Sequence, residues 1–206
     1  MAALLVILTA LAIIVGLTYA KLHGDTLSMD SRLSLLLRSP SDTAHPIGPT
    51  WLREAVRDIT SLGSVTILTL LTITLSGYLL LAGRWADAIL VIGTVAGAAG
   101  INSILKLLIA APRPGLVADA PDVFTSSFPS GHAAMSAAVC ICVARLWSGH
   151  EMQRPVRVYI WAVCLLITFW IGVSRVYLGL HWPSDVAVGW CVGLAWATMC
   201  QLTARQ

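Results

Sequence analysis

Residues 88–105 read AILVIGTVAGAAGINSIL, eighteen positions without a charge between Asp87 and Lys106. At 1.5 Å per residue such a helix is about 27 Å long, close to the ~30 Å hydrocarbon core of a bilayer. The rest of the chain repeats this pattern. Uncharged runs cover residues 2–20 up to Lys21, 59–83 between Asp58 and Arg84, 158–174 between Arg157 and Arg175, and 186–204 between Asp185 and Arg205. A further run, Ala133–Trp147, carries Arg145 near its end. Only twelve residues separate His132 from Arg145, so this run needs Pro129–Gly131 as its first turn and Arg145 snorkelling to the interface.

Composition agrees. Of 206 residues, 57% are hydrophobic and 11% charged, against about 25% charged in a soluble domain. This excludes a disordered chain, a nucleic-acid-binding domain and an ordinary water-soluble enzyme. The net charge of +3 is small and its basic residues are scattered, so no nucleic-acid partner is expected. The expected fold is an all-α integral membrane protein, a bundle of six transmembrane helices.

Residues 1–206 read as one domain: a first helix at 1–20, an interfacial stretch at 21–58, and a five-helix part at 59–206 that carries the chemistry. The first run has no basic residue before it and no good small-x-small cleavage site, so it reads as a retained helix. Residues 21–58 mix both charges with the apolar run Leu33–Leu37 and the breakers Pro40, Pro46 and Pro49. Residues 50–58 read as a short helix with a Thr cap and the aromatic anchor Trp51. Two short amphipathic helices lying at the interface, between the first and second spans, are expected here. The cysteines Cys140, Cys142, Cys164, Cys191 and Cys200 lie inside apolar runs, without zinc-site spacing, and read as packing residues.

The polar residues that suggest chemistry fall in three places. Lys106 and Arg113-Pro114 follow the third span, Pro129-Ser130-Gly131-His132 opens the fourth, and Ser174-Arg175, His181 and Asp185 lie between the fifth and sixth. With six alternating spans these places share one membrane face. The density of Arg84, Arg145, Arg154, Arg157 and Arg205 in short connections puts the N-terminus inside and the shared face outside.

Singly, Lys106, Arg113 and Arg175 read as boundary anchors. Together they are three cations whose mutual repulsion a shared anion would offset, and Arg offers a planar fork for phosphate oxygens. Ser130-Gly131 at a helix start exposes backbone amides suited to phosphate. Pro112 and Pro114 stop the third helix and free Arg113 to turn away from its axis. His181 and Asp185 are four apart with Pro183 between them, and lie on one face if this stretch is the start of the sixth helix, whose first turn tolerates the proline. The carboxylate would then set the imidazole tautomer and leave the other ring nitrogen as a nucleophile. His132 is a candidate general acid. His23, His45 and His150 lack such partners and read as surface residues. Carboxylates are too few for a magnesium site, so no metal or other cofactor is expected.

Lys106-x6-Arg113-Pro114, Pro129-Ser130-Gly131-His132 and Ser174-Arg175-x5-His181-x3-Asp185 resemble the three signature motifs of the type-2 phosphatidic acid phosphatase superfamily. The resemblance covers roughly residues 58–203 and is similar to short bacterial members around residues 176–185. It implies a six-helix, metal-independent membrane lipid phosphatase with a phosphohistidine intermediate. His181 would be the nucleophile, Asp185 its orienting partner and His132 the acid. Lys106, Arg113 and Arg175, with Ser130 and the Gly131 amide, would hold the phosphate. The expected location is a bacterial inner membrane, with the site, from the charge density of the short connections, on the periplasmic or extracellular side. The expected partner is a lipid phosphate within the bilayer: phosphatidylglycerol phosphate, phosphatidic acid or undecaprenyl diphosphate. Asp119 and Asp122 make part of the expected rim acidic and disfavour lipid A. The alternatives are a lipid phosphotransferase of the same superfamily, or a non-enzymatic anion-binding membrane protein or transporter, which would not need the His181–Asp185 pairing.

Overall fold

A computed structural model describes residues 1–116, 126–147 and 153–204. The chain forms helices α1 (Ala2–Leu22), α2 (Leu27–Leu35), α3 (Thr50–Ser61), α4 (Val65–Leu81), α5 (Trp85–Ile109), α6 (Gly131–Trp147), α7 (Arg154–Tyr177) and α8 (Pro183–Thr203), with a small hairpin of β1 (Arg38–Ser39) and β2 (Asp42–Pro46) after α2.

Among the described residues, α1, α5, α7 and α8 are long and apolar enough to cross a membrane. The pair α3 and α4, bent by 42° at a short break, makes a fifth if it is taken as one span. The fold is therefore all-helical with four to five such spans, where the apolar runs led us to expect six. The difference lies in α6 and, unless α3 and α4 are taken as one span, in α4. The 17 residues of α6 give a length of about 25 Å, shorter than the hydrocarbon core. Yet α6 is the central helix of the bundle, packed against α4, α5, α7 and α8. Its wall is made of small side chains, and Ala133, Ala134, Ala137, Ala138 and Ala144 are all buried.

The partner surface on α8 carries Gly189 and Gly193, one turn apart. A Cβ on Gly189 would lie 2.6 Å from the Ser130 carbonyl oxygen and 2.9 Å from the Ala133 Cβ. On Gly193 it would come within 2.8 Å of the Ala137 Cβ. Small residues four apart allow two membrane helices to approach closely, because lipid supplies no hydrophobic drive of its own. Here the approach brings the starts of α6 and α8 together, and the Ser130 N–H donates to the Asp185 carbonyl at 2.9 Å.

The stretch between the first two long helices contains the two short helices expected from its pattern, α2 and α3. It also contains the hairpin, which was not expected. Its two-residue turn, Pro40-Ser41, is followed by Asp42, whose carboxylate accepts the Ala44 N–H at 2.9 Å. Arg38 anchors the hairpin to the end of α7 by donating to the Tyr177 carbonyl at 3.1 Å. Outward faces of α1, α4 and α7 carry large exposed apolar residues such as Leu5, Leu70 and Leu165, the surface a bilayer covers.

Candidate active site

His181 sits in the turn from α7 to α8. Gly179, at φ +70°, reverses the chain after α7, a conformation glycine adopts without strain. The N–H groups of Leu180 and His181 both donate to the Arg175 carbonyl, at 3.1 and 3.3 Å. Pro183 then starts α8 without wasting an N–H. Asp185, in the first turn, accepts the Trp182 N–H on Oδ2 at 2.9 Å and, on the same oxygen, the Ser127 hydroxyl. That oxygen also faces His181 Nδ1 at 3.5 Å. This is long for a hydrogen bond. The carboxylate is fully buried and His181 is 3% exposed. Burial disfavours the imidazolium and outweighs the opposing pull of Asp185, so the His181 pKa falls to about 4 and the ring is neutral at neutral pH.

The three cations approach from different elements. Lys106 lies in the last turn of α5 and donates to the Ser126 carbonyl. Arg113 follows the break at Ala110, whose φ of 47° ends α5 before Pro112. Its Nη1 donates to the Leu180 carbonyl at 2.7 Å, tying it to the residue beside His181. Burial lowers its pKa, and Asp185 opposes that change. Arg175, in the last turn of α7, reaches Thr60 Oγ1 of α3 at 3.2 Å. Among the described residues neither Lys106 nor Arg175 pairs with a carboxylate.

One cavity of about 570 Å³ is lined by Lys106, Arg113, Gly131, His132, Arg175 and His181. Six of the eight residues singled out from the sequence thus share it. The other two lie behind its wall: Asp185 against His181, and Ser130, which is fully buried with a hydroxyl that has no hydrogen-bond partner among the described residues. The cavity continues between α4 and α5 along Val65, Thr69, Ile73, Ile92, Ala96 and Ala99. A polar head with three cations and two imidazoles therefore opens into a mainly apolar slot.

Several contacting residues escaped sequence reasoning. Lys21, at the end of α1, places Nζ 3.0 Å from Asp185 Oδ1 and 3.2 Å from Asp30 Oδ2. Asp30, on α2, accepts the Ser184 N–H at 2.9 Å and the Ser184 hydroxyl at 2.6 Å. Lys21 had read only as the charge that ends the first run, and no spacing linked it to a residue 164 positions away. Of the histidines set aside, His23 stacks on Tyr19 and His45 pairs with Asp42 in the exposed hairpin. His150, Asp119 and Asp122 lie outside the described residues. All five cysteines are free thiols.

The chain is similar to phosphatidylglycerophosphatase B of Bacillus subtilis (strain 168), with 29% identity over 167 residues covering 80% of this chain and 76% of that protein. Undecaprenyl-diphosphatase of Sulfolobus acidocaldarius matches at 31% over 67 residues, 32% of this chain and 28% of that one. Among solved structures, the transmembrane PAP2-type phosphatidylglycerolphosphate phosphatase of Bacillus subtilis superposes with a TM-score of 0.79 at 26% identity, covering 97% of this chain and 96% of the other. A sequence model of the PAP2 superfamily matches residues 87–205, more than half of the chain, and the chain belongs to that superfamily.

Proposed function

We propose that this PAP2-type membrane lipid phosphatase works through a phosphohistidine on His181. The observation that carries the reading is the single cavity in which a neutral, carboxylate-backed imidazole faces three cations and a second imidazole. Asp185 faces Nδ1, which leaves Nε2 for in-line attack on phosphorus. As the N–P bond forms, the bond from phosphorus to the lipid oxygen breaks, and His132 protonates that oxygen. Lys106, Arg113 and Arg175 stabilise the equatorial oxygens, with the Gly131 amide and the Ser130 hydroxyl at the start of α6. Water, deprotonated by His132, then attacks phosphorus and displaces His181.

The apolar slot between α4 and α5 accommodates a hydrocarbon tail that stays in the bilayer. With the names of the similar proteins, this favours phosphatidylglycerol phosphate, phosphatidic acid or undecaprenyl diphosphate as substrate. The chain acts as one domain over 1–206 that crosses the membrane six times, with α6 as the short central pass. The site faces the periplasmic side of a bacterial inner membrane.

The test is phosphate release by purified protein across a lipid panel in EDTA, with His181→Ala as the blank. Release from one of these lipids is expected, surviving EDTA and abolished in the variant, with labelled phosphate trapped on residue 181 of the parent protein. Turnover by His181→Ala, or a strict need for a divalent ion, would rule the mechanism out.

A further inference from the structure

The carboxylate behind His181 is held on both of its oxygens. Oδ2 takes the Trp182 N–H at 2.9 Å and the Ser127 hydroxyl. Oδ1 faces Lys21 Nζ at 3.0 Å. Lys21 comes from α1, outside all three signature motifs, and its side chain is only 10% exposed. Its position is over-determined: Asp30 Oδ2 and Ser184 Oγ both lie 3.2 Å from Nζ, and the rings of Trp182 and Phe128 lie 5.5 and 5.9 Å away. Asp30 is itself locked to Ser184, the neighbour of Asp185, through two hydrogen bonds.

A carboxylate pinned through one oxygen can still pivot about it. A second contact on the other oxygen fixes its plane, and with it the direction from which it meets the imidazole. One cation between two buried carboxylates also leaves a single net negative charge behind His181, the sign that steadies an imidazole becoming positive as it attacks phosphorus. We infer that Lys21, held by Asp30, is a positioning residue for the His181–Asp185 pair, making the first helix part of the catalytic apparatus. The inference rests on His181 being the nucleophile.

The experiment is a double-mutant cycle on kcat with a lipid phosphate substrate, joined to a titration of His181. Lys21→Met is expected to lower kcat about 10–100-fold, the usual cost of removing a group that orients a reacting one. Lys21 does not line the phosphate cavity, so KM should stay within about twofold. On an Asp185→Asn background the same substitution should change kcat less than about threefold, because its effect passes through Asp185. Equal losses on both backgrounds, or a lowered melting temperature with kcat per folded molecule unchanged, would overturn the inference.

Asp30→Asn keeps the shape and removes one negative charge, so it carries the test even if Lys21→Met fails to fold. The groups facing His181 are Asp185 from α8, Arg175 from α7, Lys106 from α5, His132 from α6, and Arg113. All of these remain in that variant, so the imidazole should titrate at lower pH than in the parent. An unchanged midpoint would refute the inference. His181→Ala in the same assay separates the two levels: turnover there removes the phosphohistidine reading itself, whereas its loss beside an indifferent Lys21→Met removes only the role of Lys21.

Discussion

A histidine that attacks phosphorus must be unprotonated on the attacking nitrogen, and burial favours that condition at His181, the proposed nucleophile. Its imidazole should titrate near pH 4 in a side-chain NMR experiment on the folded protein, whereas a midpoint at the ordinary value of about 6.5 would show that burial does not control it. The acid role proposed for His132 has a different signature. His132→Gln should slow hydrolysis of an alkyl phosphate by about 10²–10⁴-fold, the range for losing a general acid. It should affect an aryl phosphate with a nitrophenolate leaving group much less on the first step, since that oxygen departs without a proton. Single-turnover release of the two leaving groups checks this, and equal losses would reassign His132 to binding. At this scale the sequence was most informative where the partners are near neighbours along the chain: Asp185 lies in the first turn of α8 and His181 in the turn just before it, four residues away. It was silent where two residues meet only through packing. Lys21 and Asp185 illustrate this, because a lysine ending an apolar run looks the same whether it faces water or a buried carboxylate.

Among the elements, α6 is held in place by α4, α5, α7 and α8. Its 17 residues are short for a free-standing span, and its small side chains bury little apolar area, so close backbone approach must hold it. Gly189 makes that approach possible at the level of Ser130. Gly189→Val should therefore part the starts of α6 and α8 and destabilise the fold by about 1–3 kcal/mol, the usual cost of overpacking. Activity should fall further than stability does, since Ser130 and Asp185 share a backbone hydrogen bond at that contact. Thermal unfolding in detergent and phosphate release at a temperature where the variant is folded measure the two effects. The helix itself was legible from an uncharged run bracketed by His132 and Arg145. Its central place was not, because hydropathy records what a residue avoids and not which helix it meets. The hairpin of β1 and β2 was hidden for a related reason: its strands are too short to show alternation, and it is fixed from outside by Arg38 on the Tyr177 carbonyl.

For the whole molecule, the functional ends of α1, α5, α6, α7 and α8 meet at one end of the bundle. Under the six-pass topology proposed above, the C-terminus must lie in the cytoplasm. A reporter fused after Gln206 that is active only in the cytoplasm should be active, and an active periplasmic reporter in its place would invert the arrangement. The sequence by itself determined the solvent, the helical class and the chemical vocabulary. Long uncharged runs cannot be hydrated at tolerable cost, a backbone in hydrocarbon must satisfy its own hydrogen bonds, and the residue types in the three motifs have few other uses side by side. Only the tertiary structure decided which groups share a cavity, that a slot between α4 and α5 leads away from it, and that the first helix touches the carboxylate behind His181. Those facts depend on distances between segments up to 164 residues apart, set by how closely helices can approach, and no local pattern encodes such a distance.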